Sequence, residues 1–172
     1  MIDTASLKLL PNMQDHNCFG CSPVNPHGLK MTFLAADEAV ISRLSVPDHL
    51  CGWNHLVHGG VVSTILDEIM GRSAVYLLGR VILTRSMQVD FLKPVFTGKP
   101  IQAEGRVLER VSEREAKIEG RLYDTDGVLC ARSTGTFALF TPETIRKLKF
   151  MDDALVDGLE QLIEADGAGS VK

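Results

Sequence analysis

The chain has 172 residues, a length that fits one domain with a tail, and its apolar share of 45% and charged share of 23% are those of an ordinary globular protein. A formal charge of −4 and a pI near 5.7 argue against nucleic acid as the main partner. No cationic stretch followed by an apolar one opens the chain, and no apolar run is long enough to span a bilayer, so a soluble cytoplasmic protein without membrane partners is expected.

In chain order, Leu7, Leu9 and Leu10 ahead of Pro11 suggest one turn of helix lying against the body. Cys18 and Cys21 follow, with His16 and His27 nearby, and these are donor types that zinc accepts. A second ligand pair with clear spacing is missing, so no metal is expected and the thiols read as small apolar loop residues, reduced in the cytosol. Cys51 and Cys130 stand alone and read as packing residues. Residues 22–28, rich in Pro, Asn and Gly, form a loop; 29–36 and 39–46 are then two strands of a hairpin joined by Asp37 and Glu38.

A connecting loop over 48–57 holds His49, Trp53, Asn54 and His55. Trp53 caps the core by packing or walls a ligand pocket. The run His58-Gly59-Gly60-Val61-Val62-Ser63-Thr64-Ile65-Leu66-Asp67-Glu68-Ile69-Met70-Gly71 has apolar residues at helical spacing, which predicts a helix over about 60–77, capped by Gly79. Its first amides lack intrahelical partners and sit at the positive end of the macrodipole, and glycine lets a ligand atom approach them closely. Gly59 and Gly60 are therefore candidate oxyanion donors, with His58 either touching a ligand or orienting the turn.

Asp67 and Glu68, flanked by Leu66 and Ile69, point about 100° apart on that helix and cannot share one role. The axial rise from Gly59 to Asp67 is about 12 Å at 1.5 Å per residue, too far for both to touch one carbonyl. If both serve one site, the glycine end of one helix must lie beside the acid of another, antiparallel copy, across a twofold interface.

Strands over 81–92, 101–108, 116–123 and 128–140, separated by short turns, predict an antiparallel meander. A helix between a first hairpin and this run makes an α+β domain. Thr141-Pro142-Glu143 opens a peripheral helix carrying Ile145, Leu148, Leu155, Leu159 and Leu162, broken near Asp152, and residues 166–172 are expected to fray.

His58-Gly59-Gly60, Asp67, Thr84 and the proline-ended strand from Thr84 to Pro94 together resemble the hotdog-fold acyl-CoA thioesterases of the PaaI-like group, as does Cys18-Phe19-Gly20-Cys21 followed by Asn25-Pro26-His27-Gly28-Leu29. The resemblance covers residues 17–140. It implies an antiparallel sheet wrapped around a long central helix over residues 1–140, with 1–28 an amino-terminal segment and loop and 141–172 a helical tail outside the resemblance. It also implies hydrolysis of an acyl-CoA to free acid and CoA by a homodimer or dimer of dimers, with no cofactor beyond the CoA of the substrate.

In such a site the Gly59 N–H polarises the thioester oxygen, Gly60 shapes the approach, Asp67 acts as general base or as nucleophile, and Thr84 positions the attacking water. Relatives place the acid and threonine on one subunit and the glycine on the other. Many carry Asn or Gln seven positions before the first glycine, where this chain has Gly52; Asn54 is a stand-in or a turn residue. By rough match, Lys93, Arg110 and Arg114 are candidates for the CoA phosphates, and Trp53, Met70 and Phe91 for the acyl wall. Two rivals stand beside this reading. A hydratase would need a His–acid pair, and although His49 is present, Ser63 is not acidic. A non-catalytic acyl-CoA sensor would have no need of Asp67.

Overall fold

The computed structural model describes residues 7–149 and 151–166. Its elements are β1 (Lys8–Leu9), β2 (Leu34–Ala36), β3 (Ala39–Ser45), α1 (Gly59–Leu78), β4 (Val81–Phe91), β5 (Pro100–Ser112), β6 (Glu115–Tyr123), β7 (Leu129–Phe140), α2 (Pro142–Leu148) and α3 (Asp153–Asp166). The strands form one antiparallel sheet in the order β1-β2-β3-β5-β6-β7-β4, and α1 lies across it. This is the α+β arrangement expected, a curved antiparallel sheet around one long helix.

The apolar positions of α1 explain why it stays there. Ile65, Leu66, Ile69, Met70 and Ala74 are fully buried between the helix and the sheet, and each large aliphatic side chain so buried stabilises the fold by about 1.5–3 kcal/mol. The approach is close because β5 and β6 offer glycines facing each other, Gly105 and Gly120. A Cβ on Gly105 would fall 2.6 Å from the Ile69 carbonyl oxygen, and one on Gly120 3.3 Å from that of Leu66. Gly79, at φ 60°, closes the helix in the left-handed conformation, its N–H donating to Val75 O.

Three sequence expectations change. The amino-terminal leucines form no helical turn: β1 pairs with β2, Leu10 N donates to Phe33 O at 2.8 Å, and Leu10 is buried. A single turn ended by proline is too short to nucleate alone, whereas the edge of β2 offers backbone partners. Of residues 29–36, only Leu34–Ala36 joins the ladder; Leu29 and Met31 donate instead to Phe19 and Gly20 in the preceding loop.

The last change concerns the meander, which holds for β5-β6-β7 but excludes β4. Helix α1 carries the chain to the far edge of the sheet, where β4 pairs with β7 from Val81↔Phe140 to Phe91↔Ala131. The eleven-residue β4 is thus an edge strand.

Past β7, the Thr141 hydroxyl accepts from Thr144 N and Pro142 lies in the first turn of α2, as the sequence implied. The expected break near Asp152 separates α2 from α3. Ile145 and Val156 pack with Val81 in a small core of their own. Asp166 closes α3, and residues 167–172 of the expected frayed end lie outside the described residues. Among the described residues, no helix is long and apolar enough to cross a membrane.

Candidate active site

The loop before α1 is folded back on itself. Gly52 N donates to Leu56 O, His58 N to Leu50 O, and Val57 N to Val95 O. His58 is the N-cap of α1, with φ −59° and ψ 137°, and its Nδ1 accepts the Gly60 N–H at 3.0 Å. The Val61 and Val62 amides go to the His58 carbonyl. Gly60 is therefore not a free oxyanion donor, and among the described residues the Gly59 amide alone at this helix start meets no acceptor. The Phe91 ring lies over Gly59, 3.6 Å from where a Cβ would stand. Gly59, Phe91, Leu92, Lys93 and Val95 line a groove of about 320 Å³ that contains no acidic side chain.

Two turns along the helix, Thr84 Oγ1 donates to Asp67 Oδ1 at 2.8 Å, so the fold brings together two residues 17 apart in sequence. The ladder between β4 and β7 slips between Thr84 and Ser86, leaving Arg85 as an extra residue whose guanidinium pairs with Glu115. A bulge of this kind re-aims neighbouring side chains. Asp67 and Thr84 open onto a cavity of about 270 Å³ walled by Phe33, Val75 and Ile82, by the Cys18–Cys21 turn, and by Leu155, Leu159 and Leu162 of α3.

Glu68 lines the same cavity but takes a different partner, Cys18 Sγ at 3.0 Å. Burial there pushes its carboxyl up to about 8. The part played by α3 was not foreseen. Its signal was the spacing of Leu155, Leu159 and Leu162 at i, i+4 and i+7, which sequence shows as an apolar stripe without saying what it covers.

The remaining candidates separate. Trp53 does not pack in the core; it is 84% exposed, because the loop turns outward at Asn54, whose φ is 53°. Asn54 thus serves as a turn residue in the left-handed region that Asn tolerates. A Cβ at Gly52 would lie 3.3 Å from His58 Cα, so a side chain at this position would press on the His58 cap. Met70 is core, not acyl wall, since it is fully buried against Gly120.

Phe91 and Lys93 stand at the Gly59 groove. Arg110 and Arg114 do not join Lys93: Arg110 lies across the sheet in register with Thr84, through Phe137 and Ala116, and its guanidinium pairs with Glu113 at 2.6 Å. Ser63 Oγ donates to Gly59 O, and among the described residues no histidine hydrogen-bonds a carboxylate.

Residues 54–131 match the family model of the thioesterase superfamily. A Thermoplasma volcanium protein that bears an esterase name is 34% identical over 86 residues, 49% of this chain and 63% of that protein. The acyl-coenzyme A thioesterase THEM4 of Xenopus laevis is 27% identical over 114 residues, 65% of this chain and 50% of that protein. This chain therefore spans less than two thirds of either relative's length. Among solved structures, the E. coli PaaI protein from the phenylacetic acid degradation operon superposes with a TM-score of 0.59 at 14% identity, covering 65% of this chain and 80% of that one. The match over residues 54–131 makes that stretch similar to the thioesterase superfamily, and the sheet with its long helix has the hotdog fold of these solved structures.

Proposed function

We propose that the protein hydrolyses an acyl-CoA thioester at a site shared by two copies of the chain. The observation that carries this reading is the separation of two complementary half-sites. The Gly59 groove holds a free helix-start amide, an aromatic ring and a lysine but no acid. The Asp67 cavity holds a carboxylate and its hydroxyl partner but no helix-start donor. An antiparallel second copy, pairing along the exposed edge of β4, would set the amide of one chain against the acid of the other.

In that complex the Gly59 N–H stabilises the oxygen that becomes negative as the thioester carbonyl is attacked. Asp67 either takes a proton from the attacking water, whose addition expels the CoA thiolate, or attacks the carbonyl itself, expelling that thiolate to leave an anhydride that water then opens; both begin from the ionised carboxylate. Thr84 holds that carboxylate in place and orients the water. The apolar walls from Phe33 to Leu162 receive the acyl chain. Lys93 meets the CoA phosphates from the Gly59 side, and Arg114 from the Thr84 side of the other chain.

The relative named as an acyl-coenzyme A thioesterase supports this choice of substrate. The test is free-thiol release from a panel of short, long and aromatic acyl-CoAs, with wild type against Asp67→Asn. Turnover that collapses in the variant supports the reading. Undiminished turnover moves the acid elsewhere, and an acyl-CoA that binds without being cleaved makes the protein a sensor.

A further inference from the structure

Cys18, Cys21 and Glu68 have no part in that hydrolysis, yet the fold gathers them at one point. We propose that these three side chains bind a thiophilic divalent cation, Zn²⁺ first, which clamps the amino-terminal segment onto α1. Their sulfur and carboxylate ligand atoms all lie within 4.8 Å of one another. A tetrahedral zinc with sulfur at 2.3 Å and oxygen at 2.0–2.2 Å sets its ligand atoms about 3.6–3.8 Å apart. Cys18 Sγ and Glu68 Oε1, 3.0 Å apart, would open by about 0.6 Å on an ion, and the Cys21 sulfur lies within 4.8 Å of both.

The turn is already held in shape. Gly20 N–H donates to Cys18 Sγ at 3.3 Å, a bond that favours the thiolate. Asn12 Nδ2 donates to the Cys21 carbonyl at 2.7 Å, and Ser22 Oγ to that of His16 at 2.6 Å. These two bonds fix the backbone on either side of the turn that carries both cysteines. Gly20 also leaves the opening through which the third ligand enters: a Cβ there would fall 2.1 Å from Glu68 Cγ and 2.6 Å from its Oε1.

Two soft thiolates with one carboxylate select zinc over calcium or magnesium, which take all-oxygen shells. Three protein ligands leave a fourth position, and all three line the 270 Å³ cavity that would admit water to it. His16 lines the same cavity, and its buried Nε2 has no hydrogen-bond partner.

The sequence suggested no metal because a second cysteine or histidine pair was missing. The third donor is instead a helix carboxylate 50 residues beyond Cys18.

The test uses the full chain, reduced and stripped with a chelator, then titrated with Co²⁺ and Zn²⁺. One equivalent of Co²⁺ is expected to give thiolate-to-metal absorption in the near ultraviolet, to be displaced by one equivalent of Zn²⁺, and Zn²⁺ is expected to raise the Tm. Cys18→Ser and Cys21→Ser should each weaken Zn²⁺ binding by more than the roughly 100-fold that loss of an outer partner costs, and the isosteric Glu68→Gln by at least about 10-fold. Cys51→Ser and Cys130→Ser should bind as wild type does. The wild-type titration decides the matter even if a cysteine variant fails to fold. Absence of the absorption at one equivalent overturns the proposal, as does its survival in the Cys18→Ser/Cys21→Ser double variant. A Cys18–Cys21 disulfide that forms in air in a protein taking up no metal once reduced also overturns it, in favour of a redox role.

Discussion

The start of α1 and the stretch two turns along it are built in opposite ways. At Gly59 the surface is bare backbone, with Phe91 57% exposed over it, so apolar surface and a free amide face outward together. At Asp67 the helix is roofed by the amino-terminal segment on one side and α3 on the other, and the carboxylate already has a hydroxyl partner in its own chain. One end is an exposed donor without a partner; the other is a half-buried carboxylate that already has one. Two such ends on one rigid helix cannot meet within a chain, and each supplies what the other lacks. Exposed apolar surface around an edge strand is the kind of surface that a second copy covers.

The substitution that strikes the acid end hardest is Asp67→Asn, which keeps the shape and removes the charge. Under the proposed mechanism it should lower kcat on a cleaved acyl-CoA by about 10²–10⁴-fold, the range for loss of a general base, with the Tm nearly unchanged. At the open end the matching change is Gly59→Pro. Proline deletes the N–H, suits the first position of a helix, and is compatible with the φ of −59° and ψ of 137° at His58 before it. Loss of that donor should lower kcat by about 10²–10³-fold. Mixing and re-annealing the two inactive variants is the sharper measurement. If the halves belong to different chains, hybrid dimers hold one intact site, and about a quarter of wild-type turnover returns. If one chain holds the whole site, none does.

Thr84→Val tests whether the hydrogen bond to Asp67 matters for turnover or only for shape. A hydrogen bond to a charged group is worth about 1.5–3 kcal/mol, so kcat should fall roughly 10–100-fold, less than for Asp67→Asn. Thr84→Ser keeps the hydroxyl and should restore most of the rate. A Val variant as active as wild type would confine Thr84 to packing on β4.

These two ends were not equally legible in the sequence. The helix, its glycine start and the divergence of Asp67 from Glu68 follow from 3.6-residue periodicity, a local property. Pairing of Thr84 with Asp67 came only through resemblance, because nothing local says that β4 returns along α1 rather than joining a meander. The outward turn at Trp53 was missed for a related reason: apolar character alone does not reveal that the next residue, Asn54, adopts a left-handed backbone. Glu68 beside Cys18 and the α3 leucines over Asp67 are contacts between segments far apart in the chain. Spacing rules that read one segment at a time have no access to them.

The smallest expected effect lies at the cap. His58 Nδ1 satisfies the Gly60 amide and its ring closes over Gly52, so His58→Ala should cost about 1 kcal/mol of stability, as loss of an N-cap acceptor does, read as a lowered midpoint in urea at unchanged slope. His58→Asn, which can accept from the same amide, should recover most of it. Turnover separates the two roles that a residue here could play. If the imidazole only orients the turn, the Asn variant regains activity along with stability, because the Gly59 amide is again held in position. If the ring itself touches substrate, stability returns without turnover, and the open half-site then contains a side chain as well as backbone.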